Sequence, residues 1–186
     1  MRRRRVKSND ETAKTSRLTP DEQRARAFQR AAKLLAAKSR SIAELRERLL
    51  ERSPKAVVET VIERLREYGY LDDERYALGY ASSKLRQQPI GRRRLKQSLT
   101  LKKVDRKVAD EVLDQVFNET PEEELINQAI EKRIRVRGRP KTRAEAKSLF
   151  DYLLRQGFAF ELVSDRVRAV SRADLDETAE ESLAAD

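Results

Sequence analysis

The chain has 186 residues, enough for one or two domains, with 42 Lys and Arg against 32 Asp and Glu, and its net charge of +10 points to a polyanion or an acidic partner surface. It contains no cysteine and no histidine, which excludes disulfides, thiol nucleophiles, Ser-His and Cys-His pairs and histidine-bound metals. Charged residues make up 40% and apolar ones 38%, a lean core that suits an all-α chain, and no apolar run nears the ~20 residues of a membrane span, so the expected location is cytoplasmic.

Residues 1–17 carry Arg2 to Arg5, Lys7, Lys14 and Arg17 against Asp10 and Glu11, with no apolar periodicity. This composition predicts a disordered basic arm. Thr19-Pro20-Asp21-Glu22 then opens a helix, with Thr19 as N-cap and Pro20 in the first helical position. The helix is expected to run to about Lys38 with Ala27, Phe28, Ala31, Leu34 and Leu35 inward. Ser41 starts a second helix, and Glu44 three residues on predicts a capping box. Ile42, Leu45, Leu49 and Leu50 form its expected buried face. Ser53-Pro54 starts a third, with Val57, Val58, Val61, Ile62 and Leu65 inward.

The stretch from Tyr68 to Ala77 closes one helix and opens the next. Gly69 suits the left-handed position after a helix end. Tyr70 and Leu71 are expected to tuck back onto the core. Asp72 or Asp73 can accept backbone N–H bonds as an N-cap, and the run Asp72-Asp73-Glu74 suits the positive end of the helix dipole. Tyr76, Ala77, Tyr80, Ala81 and Leu85 continue as a helical apolar face. Gly69, Tyr70, Leu71, Asp72, Asp73, Tyr76 and Ala77 thus make a structural joint.

The apolar pattern recurs. Leu49, Val58 and Ile62 follow Leu45 at the offsets at which Leu99, Val108 and Val112 follow Leu95, and Leu154, Val163 and Val167 follow Phe150. This predicts three tandem three-helix repeats of about 50 residues each, forming an elongated, curved body. The expected boundaries are residues 18–71, 72–118 and 119–172, the last with helices Pro121–Ile134, Arg143–Arg155 and Phe160–Arg172. Residues 173–186 hold six acids and no base and are expected to be an acidic, partly disordered tail.

Basic residues cluster. One group includes Arg92, Arg93, Arg94, Lys96, Lys102, Lys103, Arg106 and Lys107; the other is Lys132, Arg133, Arg135, Arg137, Arg139, Lys141 and Arg143. Between them lies the acidic block Asp110, Glu111, Asp114, Glu119, Glu122, Glu123, Glu124 and Glu131, and this segregation predicts separate surfaces. Arginine's planar fork suits phosphates, although carboxylates on a protein partner would satisfy it too. Aromatics do not interleave with the arginines in the sequence, so base stacking is not indicated. There is no glycine-rich phosphate loop. Asp72 and Asp73 read as caps rather than ion ligands, so no catalytic, cofactor or metal site is expected.

Gly69-Tyr70-Leu71-Asp72-Asp73, then Tyr76-Ala77, Gly91, Leu95 and Leu99, resembles the RecX family, regulators of the RecA recombinase. The resemblance spans roughly residues 25–171; where the family often has Phe before the alanine, this chain has Tyr76. It implies three tandem three-helix repeats, no enzymatic activity and no cofactor. It also implies a monomer whose partners are the RecA filament and single- and double-stranded DNA, and which restrains RecA's ATPase, strand-exchange and coprotease functions. The alternative is an autonomous DNA-binding helical repeat protein.

Overall fold

The computed structural model describes residues 18–183, with side chains through Ser171; the expected basic arm lies outside the described residues. Every regular element among them is a helix. In chain order these are α1 (Pro20–Ala37), α2 (Ile42–Leu50), α3 (Lys55–Glu67), α4 (Asp73–Gln87), α5 (Arg92–Leu101), α6 (Arg106–Glu119), α7 (Glu122–Arg137), α8 (Arg143–Arg155) and α9 (Phe160–Leu183).

Local chemistry sets the ends. At α1 the Thr19 hydroxyl accepts from the Glu22 N–H at 3.3 Å, and the Glu22 carboxylate accepts from the Thr19 N–H at 2.8 Å, a complete capping box. At α2 only half of the expected box forms. Ser41 Oγ accepts from the Glu44 N–H at 3.1 Å, but Glu44 Oε1 accepts from Arg40 Nη1 at 2.7 Å instead of reaching back. The end of α3 is a Schellman motif: Gly69 has φ +69°, its N–H bonds to Arg66 O at 2.9 Å, and the Tyr70 N–H bonds to Leu65 O at 2.9 Å. Leu71 is buried as expected, but Tyr70 is 65% exposed. It points away from the core and meets Tyr68 edge to face at 6.3 Å. Asp72 Oδ1 accepts from the Arg75 N–H at 2.9 Å and caps α4. Helix α9 continues past Arg172 to Leu183, through Ala173, Leu175, Ala179 and Glu180, which are strong helix formers. Residues 184–186 lie outside the described residues.

The chain forms two compact units. One holds the described residues through Ala77 together with Lys102–Asp105; the other holds Leu78–Leu101 and the described residues from Arg106. The first core joins Ala27 and Ala31 of α1, Leu45 and Leu49 of α2, Val58, Val61, Ile62 and Leu65 of α3, and Leu71. In the second unit, Leu95, Leu99, Ala109, Val112, Leu113 and Val116 of α5 and α6 are buried. A core cluster there joins Leu125, Ile126, Ala129 and Ile130 of α7, Leu149 and Leu153 of α8, Phe158, and Val163 and Val167 of α9.

The apolar register differs from expectation in detail. Leu50 is 43% exposed, and Val108, Phe150 and Leu154 are only half-buried. Ala109, Leu149 and Leu153 are the fully buried residues beside them. The step from Leu99 to Ala109, and from Leu153 to Val163, is therefore one residue longer than that from Leu49 to Val58. Adjacent apolar pairs such as Leu149-Phe150 fit a 3.6-residue period equally well, so periodicity alone cannot choose between them.

One set of contacts occurs twice. In the first unit Asp73 Oδ1 accepts from the Ile42 N–H at 2.8 Å, and Ser41 Oγ donates to Lys102 O at 2.6 Å. In the second, Glu122 Oε1 accepts from the Arg92 N–H at 2.8 Å, and the Gly91 N–H donates to Gln156 O at 2.9 Å. In both, the start of one helix is closed by a carboxylate from the first residue of another helix and by the carbonyl of a helix–helix turn. Ser41 and Gln156 are the buried polar residues of the described chain. Both are satisfied, Gln156 Oε1 accepting from Gln88 Nε2 at 3.0 Å and Arg94 Nη1 at 2.7 Å.

Candidate polyanion-binding surface

The first basic cluster sits on α5 and on the turn before α6, and most of it is engaged internally. Arg92 pairs with Asp114 and lies 5.9 Å over the Phe117 ring. Lys96 Nζ pairs with Asp110 Oδ1 at 2.5 Å, and Arg106 Nε is 3.8 Å from the other oxygen of the same carboxylate. Lys107 lies 3.9 Å from Glu111. The Lys96 ammonium beside Asp110 holds that carboxyl below its ordinary range. Within the second unit, then, the Asp110–Asp114 part of the acidic block faces the basic cluster instead of forming a separate surface. Charges well apart in sequence meet because α5 and α6 pack side by side. Arg94 also reaches inward, donating to Arg155 O at 3.2 Å and to Gln156. Arg93 alone of the three consecutive arginines is exposed.

In the first unit, Lys102 contributes its carbonyl to Ser41, and Lys103 pairs with Glu47 while its backbone sits at φ +58°. That pairing holds the Glu47 carboxyl below its usual range. These lysines support the helix–helix turn at Lys102–Asp105.

The second cluster is different. It covers the last turn of α7, the loop through Gly138 (φ +79°) and the start of α8. Arg135 and Arg137 suit the negative end of the α7 dipole. Lys132, Arg135, Arg137, Lys141 and Arg143 are exposed, and among the described residues no carboxylate forms an ion pair with any of them. Arg133 is half-buried with its guanidinium 4.8 Å over the Tyr152 ring. The structure thus brings Lys132–Arg143 together as an exposed cationic surface, and does not bring Arg92, Arg94 and Lys96 into it as uncommitted charges.

Ser148 and Tyr152 lie on α8 and Gln156 just past its end, and none of the three carries a local signal in the sequence. In the first unit Arg64 lies 5.7 Å from the ring of Phe28, which is distant in sequence, and 5.4 Å from that of Tyr68, whose i,i+4 spacing was a local signal for the second contact. Arginine and aromatic residues do stack here, although the linear sequence does not show them interleaved.

With helices as the regular elements throughout the described residues, the class is that of an all-α protein. The pattern of the first three-helix domain of RecX matches residues 27–65, and that of the second matches residues 72–113. Two consecutive domain patterns of the RecX family thus lie in tandem in this chain. It is 26% identical over 157 residues to the regulatory protein RecX of Bacillus pumilus (strain SAFR-032), a match covering 84% of this chain and 59% of that protein. The crystal structure of RecX from Lactobacillus salivarius superposes with a TM-score of 0.72 at 18% identity, covering 82% of this chain and 99% of that one. A second crystal structure, of the regulatory protein RecX, gives 0.68 at 23% identity over 78% of this chain and 71% of that one. No helix among the described residues is long and apolar enough to cross a membrane.

Proposed function

We propose that this chain is a cytoplasmic, non-enzymatic regulator of the RecA recombinase. It binds the RecA–DNA filament as a monomer and restrains its ATPase, strand-exchange and coprotease activities. The observation that carries this reading is the pair of RecX domain matches in tandem. The exposed Lys132–Arg143 surface supports contact with the phosphates of single- or double-stranded DNA. A third repeat over residues 119–172 belongs to the same proposal, supported by the α7–α9 core and by the second occurrence of the helix closure.

The test is the ATPase rate of RecA on single-stranded DNA in excess, with this chain added below one copy per protomer. Inhibition at such ratios is expected, because the filament is the target. No inhibition, with tight salt-dependent binding to bare DNA, would instead assign the autonomous DNA-binding alternative. If about six phosphates are contacted, affinity falls roughly 10³-fold between 50 and 200 mM salt. Arg135→Glu with Arg143→Glu is expected to weaken DNA binding and flatten that salt slope with helix content unchanged. Replacing Arg92 and Arg94 would confound the result, since both also hold the fold together through Asp114 and Gln156.

A further inference from the structure

Within the second unit, a cavity of about 170 Å³ opens beside the loop between α7 and α8. Arg133, Arg137 and Arg139 line it, together with Ile134, Pro140 and Leu149. Pro140 and Leu149 are buried and Arg137 and Arg139 exposed, so the apolar side chains form the floor and guanidiniums the rim. An engineered apolar cavity of about 150 Å³ holds a benzene ring, so this one has room for a single six-membered ring. Arg133 is fixed at the wall by the Tyr152 ring and by a weak contact from Nη2 to Ser148 Oγ at 3.5 Å. The lining carboxylate, Glu145, is already bonded: its Oε2 accepts from the Lys141 N–H at 2.7 Å and the Thr142 N–H at 3.1 Å.

We propose that this cavity takes one nucleotide of a single-stranded polynucleotide, the base on the apolar floor and the flanking phosphates on the arginine rim. The proposal rests on the nucleic-acid part of the preceding reading and gives it a place. A duplex keeps its bases stacked inside, whereas a single strand can turn one out onto an aromatic or guanidinium plane. A strand also presents a phosphate on each side of every base. Uncommitted cations lie on both elements that meet at the cavity, Lys132 and Arg135 on α7 and Lys141 and Arg143 at the start of α8. A peptide with an aromatic anchor brings no such regular charge.

The experiment compares two labelled strands of roughly 15 nucleotides, oligo-dT and an abasic strand of equal length, by fluorescence polarisation with the full chain. Wild type is expected to bind oligo-dT about tenfold more tightly. Ser148→Trp fills the cavity from an exposed position and removes no arginine. It gives up the weak Arg133 contact, a loss that falls on both strands alike, and is expected to remove the preference, so that the variant binds oligo-dT no more tightly than it binds the abasic strand. Equal binding of both strands by wild type, or an equal effect of Ser148→Trp on both, overturns the cavity assignment and leaves a purely phosphate-contacting surface. Failure of wild type to bind either strand removes the nucleic-acid reading itself. Displacement of oligo-dT by a Phe-containing Glu-rich peptide, lost in Ser148→Trp but with no dT preference over abasic strand, assigns the cavity to a protein partner and overturns the proposal.

Discussion

Gly91→Ala is expected to lower stability by about 3 kcal/mol and Gly157→Ala by about 4 kcal/mol, whereas Gly79→Ala is expected to raise it by about 0.5–1 kcal/mol. A Cβ on Gly91 would stand 2.3 Å from Gly157 O and 2.4 Å from the Phe158 N. These are backbone atoms, held by the Gly91 N–H bond to Gln156 O and the Arg93 N–H bond to Gly157 O at 3.2 Å. Neither can move without opening the closure at the start of α5. Gly157 is worse placed. Its Cβ would lie 2.4 Å from the Arg94 N, and its φ of +88° adds a left-handed penalty of about 1–2 kcal/mol. Gly79 meets nothing within 4 Å and sits inside α4, so a methyl group there only stiffens the unfolded chain. At about 2–4 °C per kcal/mol for a chain of this size, the two damaging variants should melt about 10 °C low by circular dichroism. Melting of Gly91→Ala within a degree or two of wild type would show that the close approach is not a constraint.

That close approach was not legible in the sequence, because Gly91 and Gly157 are far apart along it and each resembles an ordinary turn glycine. Signals that act over one helical turn were legible. Thr19-Pro20 with Glu22, Ser41 and Gly69 each place a helix end, because capping is settled by residues within four positions. The fold class followed from the same periodicity. The candidate site was read only in part. Lys132–Arg143 is a local run on one helix end and loop, so its exposure follows from its composition. The fate of Arg92, Arg94 and Lys96 depends on Asp114, Gln156 and Asp110, which reach them through packing. Tyr70 shows the same limit from the other side. The Schellman geometry fixes its backbone, but Leu71 takes the place in the core and leaves the ring outside.

Asp73 and Glu122 carry the second large effect. Each accepts an N–H bond at 2.8 Å that closes the start of another helix. Asp73→Ala or Glu122→Ala leaves a half-buried donor unpaired, and each is expected to cost about 1–2 kcal/mol. The two sites share no partner, so the double variant should lose about 2–4 kcal/mol. Asp73→Asn and Glu122→Gln keep an acceptor oxygen and remove a charge, so they should retain most of the stability. They should also change its pH dependence in a definite direction. Burial pushes both carboxyls above their ordinary values, outweighing the bonds from the Ile42 and Arg92 N–H groups. Asp72 adds to the rise at Asp73 while Arg46 and Arg66 oppose it; Glu123 and Arg92 play those parts at Glu122. Above the ordinary carboxylate values of 3.8 and 4.5, the unfolded chain has released protons that the folded chain still holds. Stability from these two groups is therefore fully present below the ordinary values and is lost as pH rises through the raised ones. The pairs at Glu47 and Asp110 act in the opposite sense, since their carboxyls lie low and lose their stabilising contribution as pH falls. With Asp73→Asn and Glu122→Gln combined, only this second slope remains, and stability should climb more steeply with pH through the mildly acidic range than in wild type. Urea unfolding across that range reads both parts. Superimposable pH profiles would remove the buried-charge account, and amide variants as damaging as the alanine ones would remove the capping role.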